Sequence, residues 1–206
     1  KNVDYTLYLV TDRDVLRGRD LIKCIEDSIL GGVTLVQLRE KNVTSREFYE
    51  IAIKVKEVTS KYNVPLIIND RLDIALAIDA DGLHIGQKDL PASVARKILG
   101  KDKILGVSAA TLQEALKAEK DGADYLGVGA VFSTSTKKDT RDVSYETLSN
   151  ITASVNIPVV AIGGINESNV TKLKGSNIDG IAVVSCILGK ENVKVAAEKM
   201  LDRFKE

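Results

Sequence analysis

The sequence predicts a (β/α)8 barrel, a TIM barrel of one domain over residues 1–206. Three observations predict it. Short β-rich runs recur eight times, most of them followed by a helical stretch. The runs are near-continuously apolar rather than alternating, as in parallel strands covered on both faces. Gly or Asp-Gly recurs between a helix end and the next strand, in "GGVTLVQL", "DADGLHIG", "DGADYLGVG" and "SNIDGIAVV", the short turn of a repeated unit.

The elements follow in order. "LYLVT" (7–11) is the first strand, and no G-x-G-x-x-G turn follows it. That weakens the rival fold, an open doubly wound sheet binding a dinucleotide. "TLVQLRE" (34–40) is the second; alternation puts Gln37, Arg39 and Lys41 on one face, Leu38 and Glu40 on the other. "SREFYEIAIKVKEVTSKY" then sets Phe48, Ile51, Ala52, Val55 and Val58 on one helical stripe. The third strand, "PLIIN" (65–69), runs without a turn residue into Asn69, Asp70 and Arg71. The fourth, "GLHIG" (82–86), carries His84 and leads to Asp89 in "GQKD". The fifth, "ILGVSA" (104–109), contains Ser108 near its end. After it, Leu112, Ala115, Leu116 and Glu119 recur at helical spacing, with Gly122 as the stop. "YLGVG" (125–129) precedes the polar run "FSTSTKKDTRD"; "PVVAIG" (158–163) ends at the pair Gly163–Gly164, and "GIAVVS" (180–185) at Ser185.

Composition narrows the function. Lys and Arg number 29, Asp and Glu 29, so the net charge is zero and no basic surface calls for nucleic acid. Aromatic residues make up 4%, with no Trp, too few for base-stacking platforms. The apolar runs are of strand length, so no membrane span is expected. The first residues lack the pattern of a signal peptide. Cys24 and Cys186 have no metal-binding spacing; they read as buried free thiols of a cytoplasmic protein. No signal of oligomeric state is present.

Barrel chemistry sits at the C-terminal ends of the strands. Collected there are two carboxylates, several cations, hydroxyls and a Gly pair. Asp70 and Asp89 suit Mg²⁺, which takes one or two carboxylates and completes its shell with waters and phosphate oxygens. Lys and Arg suit a polyphosphate. Gly163 and Gly164 can present bare N–H groups to a second phosphate, in the loop region that commonly binds one. Each has a bland alternative: Asp70 as a helix N-cap, Asp89 as a solvated loop residue, the Gly pair as a turn, "KKDTRD" as a surface run, and His84 as a satisfied interior residue.

The motifs "QLREK", "NDRLDIALAIDADGLHIGQKD", "LGVSA", "GADYLGVGAVFSTSTK", "PVVAIGGI" and "GIAVVS" resemble those of the thiamine phosphate synthase family along essentially the whole chain. The resemblance implies a TIM-barrel transferase of thiamine biosynthesis, with small-molecule substrates. It would join hydroxymethylpyrimidine diphosphate to a thiazole phosphate and release diphosphate, using Mg²⁺. It implies that Asp70 and Asp89 bind the metal. It implies that Gln37, Arg39, Lys41, Asn69, Ser108 and Lys137 surround the pyrimidine diphosphate, with Lys137, Lys41, Arg39 and Ser108 acting in catalysis. Thr134, Thr136, Gly164, Val184 and Ser185 would hold the thiazole phosphate, and the segment 132–142 is a candidate cover. Ala110 stands where many synthases carry His, and Ser135 where Pro or Glu is common. Thiazole tautomerase relatives tend to lose the metal carboxylates and carry His after the sixth strand; here Asp70 and Asp89 are present and that position is Ala130. A noncatalytic barrel that binds phosphate ligands is the alternative of a different class.

Overall fold

The computed structural model describes residues 1–133 and 141–206. Among the described residues, eight strands are ordered β1 Leu7–Val10, β2 Leu35–Leu38, β3 Leu66–Asn69, β4 Gly82–Ile85, β5 Ile104–Ala109, β6 Tyr125–Val128, β7 Val159–Ile162 and β8 Gly180–Val183. Each pairs in parallel with the next, and β8 closes onto β1. The helices between them are α1 Arg13–Leu16, α2 Leu21–Leu30, α3 Ser45–Lys61, α4 Leu72–Ala77, α5 Ala92–Leu99, α6 Leu112–Lys120, α7 Tyr145–Ser154, α8 Ser185–Leu188 and α9 Val193–Lys205, with a 3₁₀ turn at Val170–Leu173. The expected barrel is present, and all eight expected strands fall where the apolar runs placed them; β5 keeps the expected bounds and the other seven are shorter.

Strand alternation divides the core in two. Leu7, Leu9, Val36, Leu38, Leu66 and Ile68 belong to a layer packed under the helices. Tyr8, Val10, Leu35, Ile67, Tyr125, Val160 and Ala182 form a second cluster inside the barrel. Because both faces of every strand are covered, the runs read as continuously apolar. On the outer layer, α3 buries Phe48, Ala52, Val55 and Thr59. Phe48 and Val55 alone account for roughly 1.5–3 kcal/mol each of burial free energy. Thr44 caps α3 by accepting from the Glu47 N–H at 3.1 Å. In α6 the buried residues are Ala115 and Ala118, whereas Leu116 is exposed; the helix turns its small residues to the sheet.

The repeated Asp before a strand has a specific task. Asp81 donates its N–H to Leu66 O (3.0 Å) and accepts from Leu66 N at Oδ2 (2.8 Å). Asp124 brackets Leu105 in the same way, at 2.7 and 2.8 Å. Asp179 brackets Val159 at 2.8 and 2.8 Å. Thr34 does the same for Leu7 with its hydroxyl. Each such side chain satisfies an N–H at the start of the neighbouring strand, that of the first residue in β1, β3 and β7 and of the second in β5. The Asp-Gly and Asp-Tyr punctuation is therefore a register lock at the bottom of the barrel. Asp179→Ala is expected to lower stability by about 1–3 kcal/mol, the cost of orphaning the Val159 N–H. Urea unfolding checks it against Asp202→Ala, and equal midpoints for the two variants would remove this role.

Candidate active site

Three charged side chains meet at the ends of three consecutive strands. Lys41 follows β2, Asp70 follows β3 and Asp89 lies in the turn after β4. Lys41 Nζ donates to Asp70 Oδ2 at 2.5 Å. Asp89 Oδ2 accepts from Gly86 N at 2.7 Å, which fixes the turn that carries it. Asp70 is not a helix cap: the N-cap of α4 is Arg71, without a side-chain cap bond. Asp70 instead sits at φ +63, in the left-handed region, with its N–H on His84 O at 2.9 Å. Asp tolerates that region better than most residues, yet it still carries a strain cost. The conformation aims the carboxylate at Lys41 and Asp89 instead of down the helix.

The two carboxyls pull apart in acidity. Burial pushes Asp70 up, but the Lys41 ammonium and a hydrogen bond shared with Asp89 outweigh it and hold it below its ordinary value. At Asp89, burial and the facing Asp70 outweigh the Gly86 N–H, and the carboxyl is raised. Two like charges share one site, and one lysine compensates only the first. A divalent cation with a preference for oxygen resolves that conflict, so the donor set fits Mg²⁺. Among the described residues, no group of three or more His, Cys, Asp or Glu side chains gathers for a metal. The pair would leave most of a six-ligand shell to water and substrate.

Below these charges, the barrel interior is polar. Gln37 Nε2 donates to Tyr8 Oη at 2.9 Å, and Tyr8 and Tyr125 hydroxyls lie 2.6 Å apart. His84 contacts Tyr125 Oη through Nδ1 and Ser108 Oγ through Nε2, both at 2.8 Å. His84 is thus an interior residue with both ring nitrogens engaged. Glycines make the room. A Cβ on Gly106 would lie 2.1 Å from Tyr125 Cζ, and one on Gly127 3.2 Å from His84 Cε1. Asn69 is buried at the top of β3.

The shared face expected for Gln37, Arg39 and Lys41 does not extend past the strand. β2 stops at Leu38, so the loop, not alternation, directs the next residues. Gln37 faces the interior. Arg39 Nη1 pairs with Asp12 Oδ2 at 3.1 Å, and Asp12 also caps α1 through the Val15 N–H. Lys41 reaches Asp70. Glu40 turns away: its Oε1 accepts from Arg13 Nε at 2.7 Å, and its buried Oε2 has no partner among the described residues.

On the far side, Gly163 and Gly164 have φ +105 and +65. A Cβ on Gly163 would lie 2.5 Å from Ala130 Cα, and one on Gly164 2.5 Å from Ser133 O. Close passage of the chain after β6 is therefore enough to require both glycines. Val184 and Ser185 follow β8, with Ser185 exposed at the first turn of α8. A groove of about 950 Å³ reaches Ser185 and Asp12 but runs out between α1, α8 and α9. It touches neither Lys41 nor the two carboxylates, and it is not the mouth.

A sequence model of the family described as thiamine monophosphate synthase matches residues 7–187. The chain belongs to that family. The thiamine-phosphate synthase of Clostridium tetani is 68% identical over 206 residues, covering 100% of this chain and 99% of the relative. That of Alkaliphilus oremlandii is 61% identical over 198 residues, covering 96% and 95%. The solved thiamine phosphate pyrophosphorylase from Pyrococcus furiosus aligns with a TM-score of 0.90 at 41% identity, covering 98% and 96%.

For this member of the thiamine monophosphate synthase family, Thr134, Thr136 and Lys137 lie outside the described residues, as does most of the segment 132–142. Sequence reading missed Tyr8, Tyr125 and Asp12. The inward alternation of "LYLV" and the Tyr-x-Gly of "YLGV" are the signals that point to the tyrosines. Glu40 generates a pH prediction. Burial raises its carboxyl above the ordinary value, and Arg13 only partly offsets this. The unfolded chain then loses this proton first as pH rises. The penalty is absent below the unfolded value and is complete above the folded one. Glu40→Gln is expected to gain stability relative to the parent between pH 4 and pH 7, measured by urea unfolding. A difference that stays constant or shrinks over that range would contradict the assignment.

Proposed function

We propose that this chain is a thiamine phosphate synthase, a Mg²⁺-dependent transferase of the cytoplasm. It condenses hydroxymethylpyrimidine diphosphate with thiazole phosphate. The observation that carries this reading is the Lys41–Asp70–Asp89 cluster at the ends of β2, β3 and β4, in a chain of this family. The two free, buried cysteines suit a reducing compartment. Among the described residues, no helix is long and apolar enough to cross a membrane.

The bond between the pyrimidine methylene carbon and the diphosphate oxygen breaks, and its electron pair leaves with the diphosphate. The thiazole nitrogen then supplies the pair for the new C–N bond. The nucleophile needs no deprotonation, so the protein's task is to stabilise charge on the leaving group and to exclude water. Asp70 and Asp89 would hold Mg²⁺, which supplies charge neutralisation at the diphosphate. Lys41 and Arg39 meet the same oxygens, and Lys137 joins them in this reading. Gln37, Asn69 and Ser108 seat the pyrimidine ring. Thr134, Thr136, Gly164, Val184 and Ser185 receive the thiazole phosphate.

A two-substrate assay that follows thiamine phosphate, with and without EDTA, tests the reading. Asp70→Asn and Asp89→Asn are each expected to weaken the response to Mg²⁺ with the fold retained; full turnover in EDTA would sink the metal assignment. Ser185→Ala is expected to raise KM for thiazole phosphate more than KM for the pyrimidine. Gly164→Ala cannot serve here, because its methyl meets Ser133 O whether or not phosphate binds. Lys137→Ala is expected to lower kcat by about 10²–10³, as for loss of one preorganised charge, with Lys138→Ala as control. Wild-type kcat in both lysine variants would remove Lys137 from the chemistry.

A further inference from the structure

The ends of β1 and β2 are joined by two reciprocal ion pairs. Asp12 and Arg13 lie just past β1, and Arg39 and Glu40 just past β2. Asp12 pairs with Arg39 at 3.1 Å and Arg13 with Glu40 at 2.7 Å. The pairs differ in burial: Asp12 and Arg39 expose 8% and 16% of their side chains, whereas the Arg13 side chain is 44% exposed. Arg39 is also held through its backbone. Its N–H donates to the buried Thr11 Oγ1 at 3.0 Å, and Thr11 N donates to Gln37 O at 3.0 Å. The pairing of β1 with β2 thus continues past both strand ends on a side-chain hydroxyl.

Capping does not account for the charge on Asp12. Its Oδ1 accepts from Val15 N at 3.1 Å, the cap of a helix of four residues. Serine and asparagine cap as well as aspartate, and a hydroxyl costs far less to bury than a charge. Tying the two strand ends does not account for it either, because Arg13 and Glu40 already do so. What needs the charge is Oδ2, which faces the Arg39 guanidinium. Among the described residues, this carboxylate is the one acceptor that the guanidinium meets, so most of its N–H donors remain open. With one oxygen on a backbone N–H and the other on the guanidinium, Asp12 holds a long side chain by its head.

We propose that Asp12 is a positioning residue for Arg39: it fixes the guanidinium by one edge, so that the open donors meet the diphosphate as charge develops on the leaving oxygens. The inference rests on the reading that Arg39 meets the diphosphate, and it deepens that reading by naming what aims Arg39. A planar guanidinium depends on its aim, whereas the ammonium of Lys41 is a point charge with rotatable donors. Orientation set before substrate arrives lowers the barrier to the reaction. Asp12 also neutralises part of the Arg39 charge, which opposes diphosphate binding. Its contribution therefore belongs in kcat and not in KM.

The test is a double-mutant cycle on kcat for thiamine phosphate formation, at saturating substrates and Mg²⁺. Asp12→Ser keeps a cap and removes the oxygen that faces Arg39. It is expected to lower kcat about 10–10²-fold, while KM for the pyrimidine diphosphate stays level or falls. In an Arg39→Gln background the same substitution is expected to change kcat by less than about twofold, because residues that act as a unit are not additive. Arg13→Gln loosens the same two strand ends without touching Arg39, and is expected to keep wild-type kcat. Asp12→Asn, with one oxygen for two donors, runs through the same cycle if the serine variant does not fold. An equal loss in both backgrounds, or an equal loss in Arg13→Gln, means that Asp12 acts on the fold alone and overturns the inference. Wild-type kcat in the folded Asp12 variant overturns it as well. Wild-type kcat in Arg39→Gln removes Arg39 from the chemistry, and this inference with it. A parent protein that forms no thiamine phosphate overturns the functional reading itself, and the inference that rests on it.

Discussion

A polar atom inside a closed eight-stranded barrel must find a partner, because neither water nor a sheet edge is available to it. The site depends on how this interior meets that demand. Tyr8 and Tyr125 span it and bond to each other, which makes them the boundary between hydrocarbon below and polar groups above. Gln37 bonds to Tyr8 at one end of that span, and His84 links Tyr125 to Ser108 at the other, so both can stand near the mouth with a bonded partner below. The space for the Tyr125 ring and the His84 imidazole comes from Gly106 and Gly127, whose missing side chains the rings occupy. Replacing either glycine moves a ring, and with the ring its hydrogen-bond partners.

The mouth obeys a different rule, one of charge. β2, β3 and β4 are sequential neighbours in the barrel, about 4.8 Å apart, so their ends bring Lys41, Asp70 and Asp89 together without long loops. Strand order therefore gathers three charges that no single loop carries. The arrangement is unbalanced as it stands, with Asp70 held down by Lys41 and Asp89 pushed up by burial and by Asp70. Carboxyls shifted in this way cluster at functional sites. The positive φ of Asp70 belongs to the same economy: local backbone strain turns a carboxylate that could cap α4 toward its charged neighbours.

Much of this was legible in the sequence, and the reasons differ by residue. The strands were legible because burial on both faces leaves an uninterrupted apolar run, as in "PLIIN". Asp70 was legible as a candidate because a carboxylate at the end of such a run has no packing role; Asp89 was a candidate only through its place in the polar loop after β4. Arg39 was read by alternation carried past Leu38, where the ladder and its period of two end. Its partner, Asp12, comes from another strand end, and no local pattern joins residues that far apart. The tyrosines were missed because an aromatic residue in a strand reads as core. They are core, and only the hydroxyl at the tip, which meets partners from β2 and β4, makes them more than that. The Asp before β4, β6 and β8 was seen as punctuation, but its bond to an N–H at the start of the neighbouring strand needs the closed sheet.

The Gly163–Gly164 pair shows how one residue pattern can have two physical causes. Glycine serves an anion site by letting backbone approach a ligand, and it serves a crossing by letting backbone approach backbone. Here the second cause is sufficient: Phe132 N donates to Gly163 O at 3.0 Å, and the chain after β6 lies where either Cβ would stand. The two causes are compatible, since the crossing sets the positive φ that exposes the following peptide. They are not separable by substituting the glycine, because any side chain breaks the crossing before it meets a ligand. The phosphate assignment on that side must therefore be carried by groups the crossing does not need, which makes the exposed Ser185 hydroxyl the more informative residue of the two.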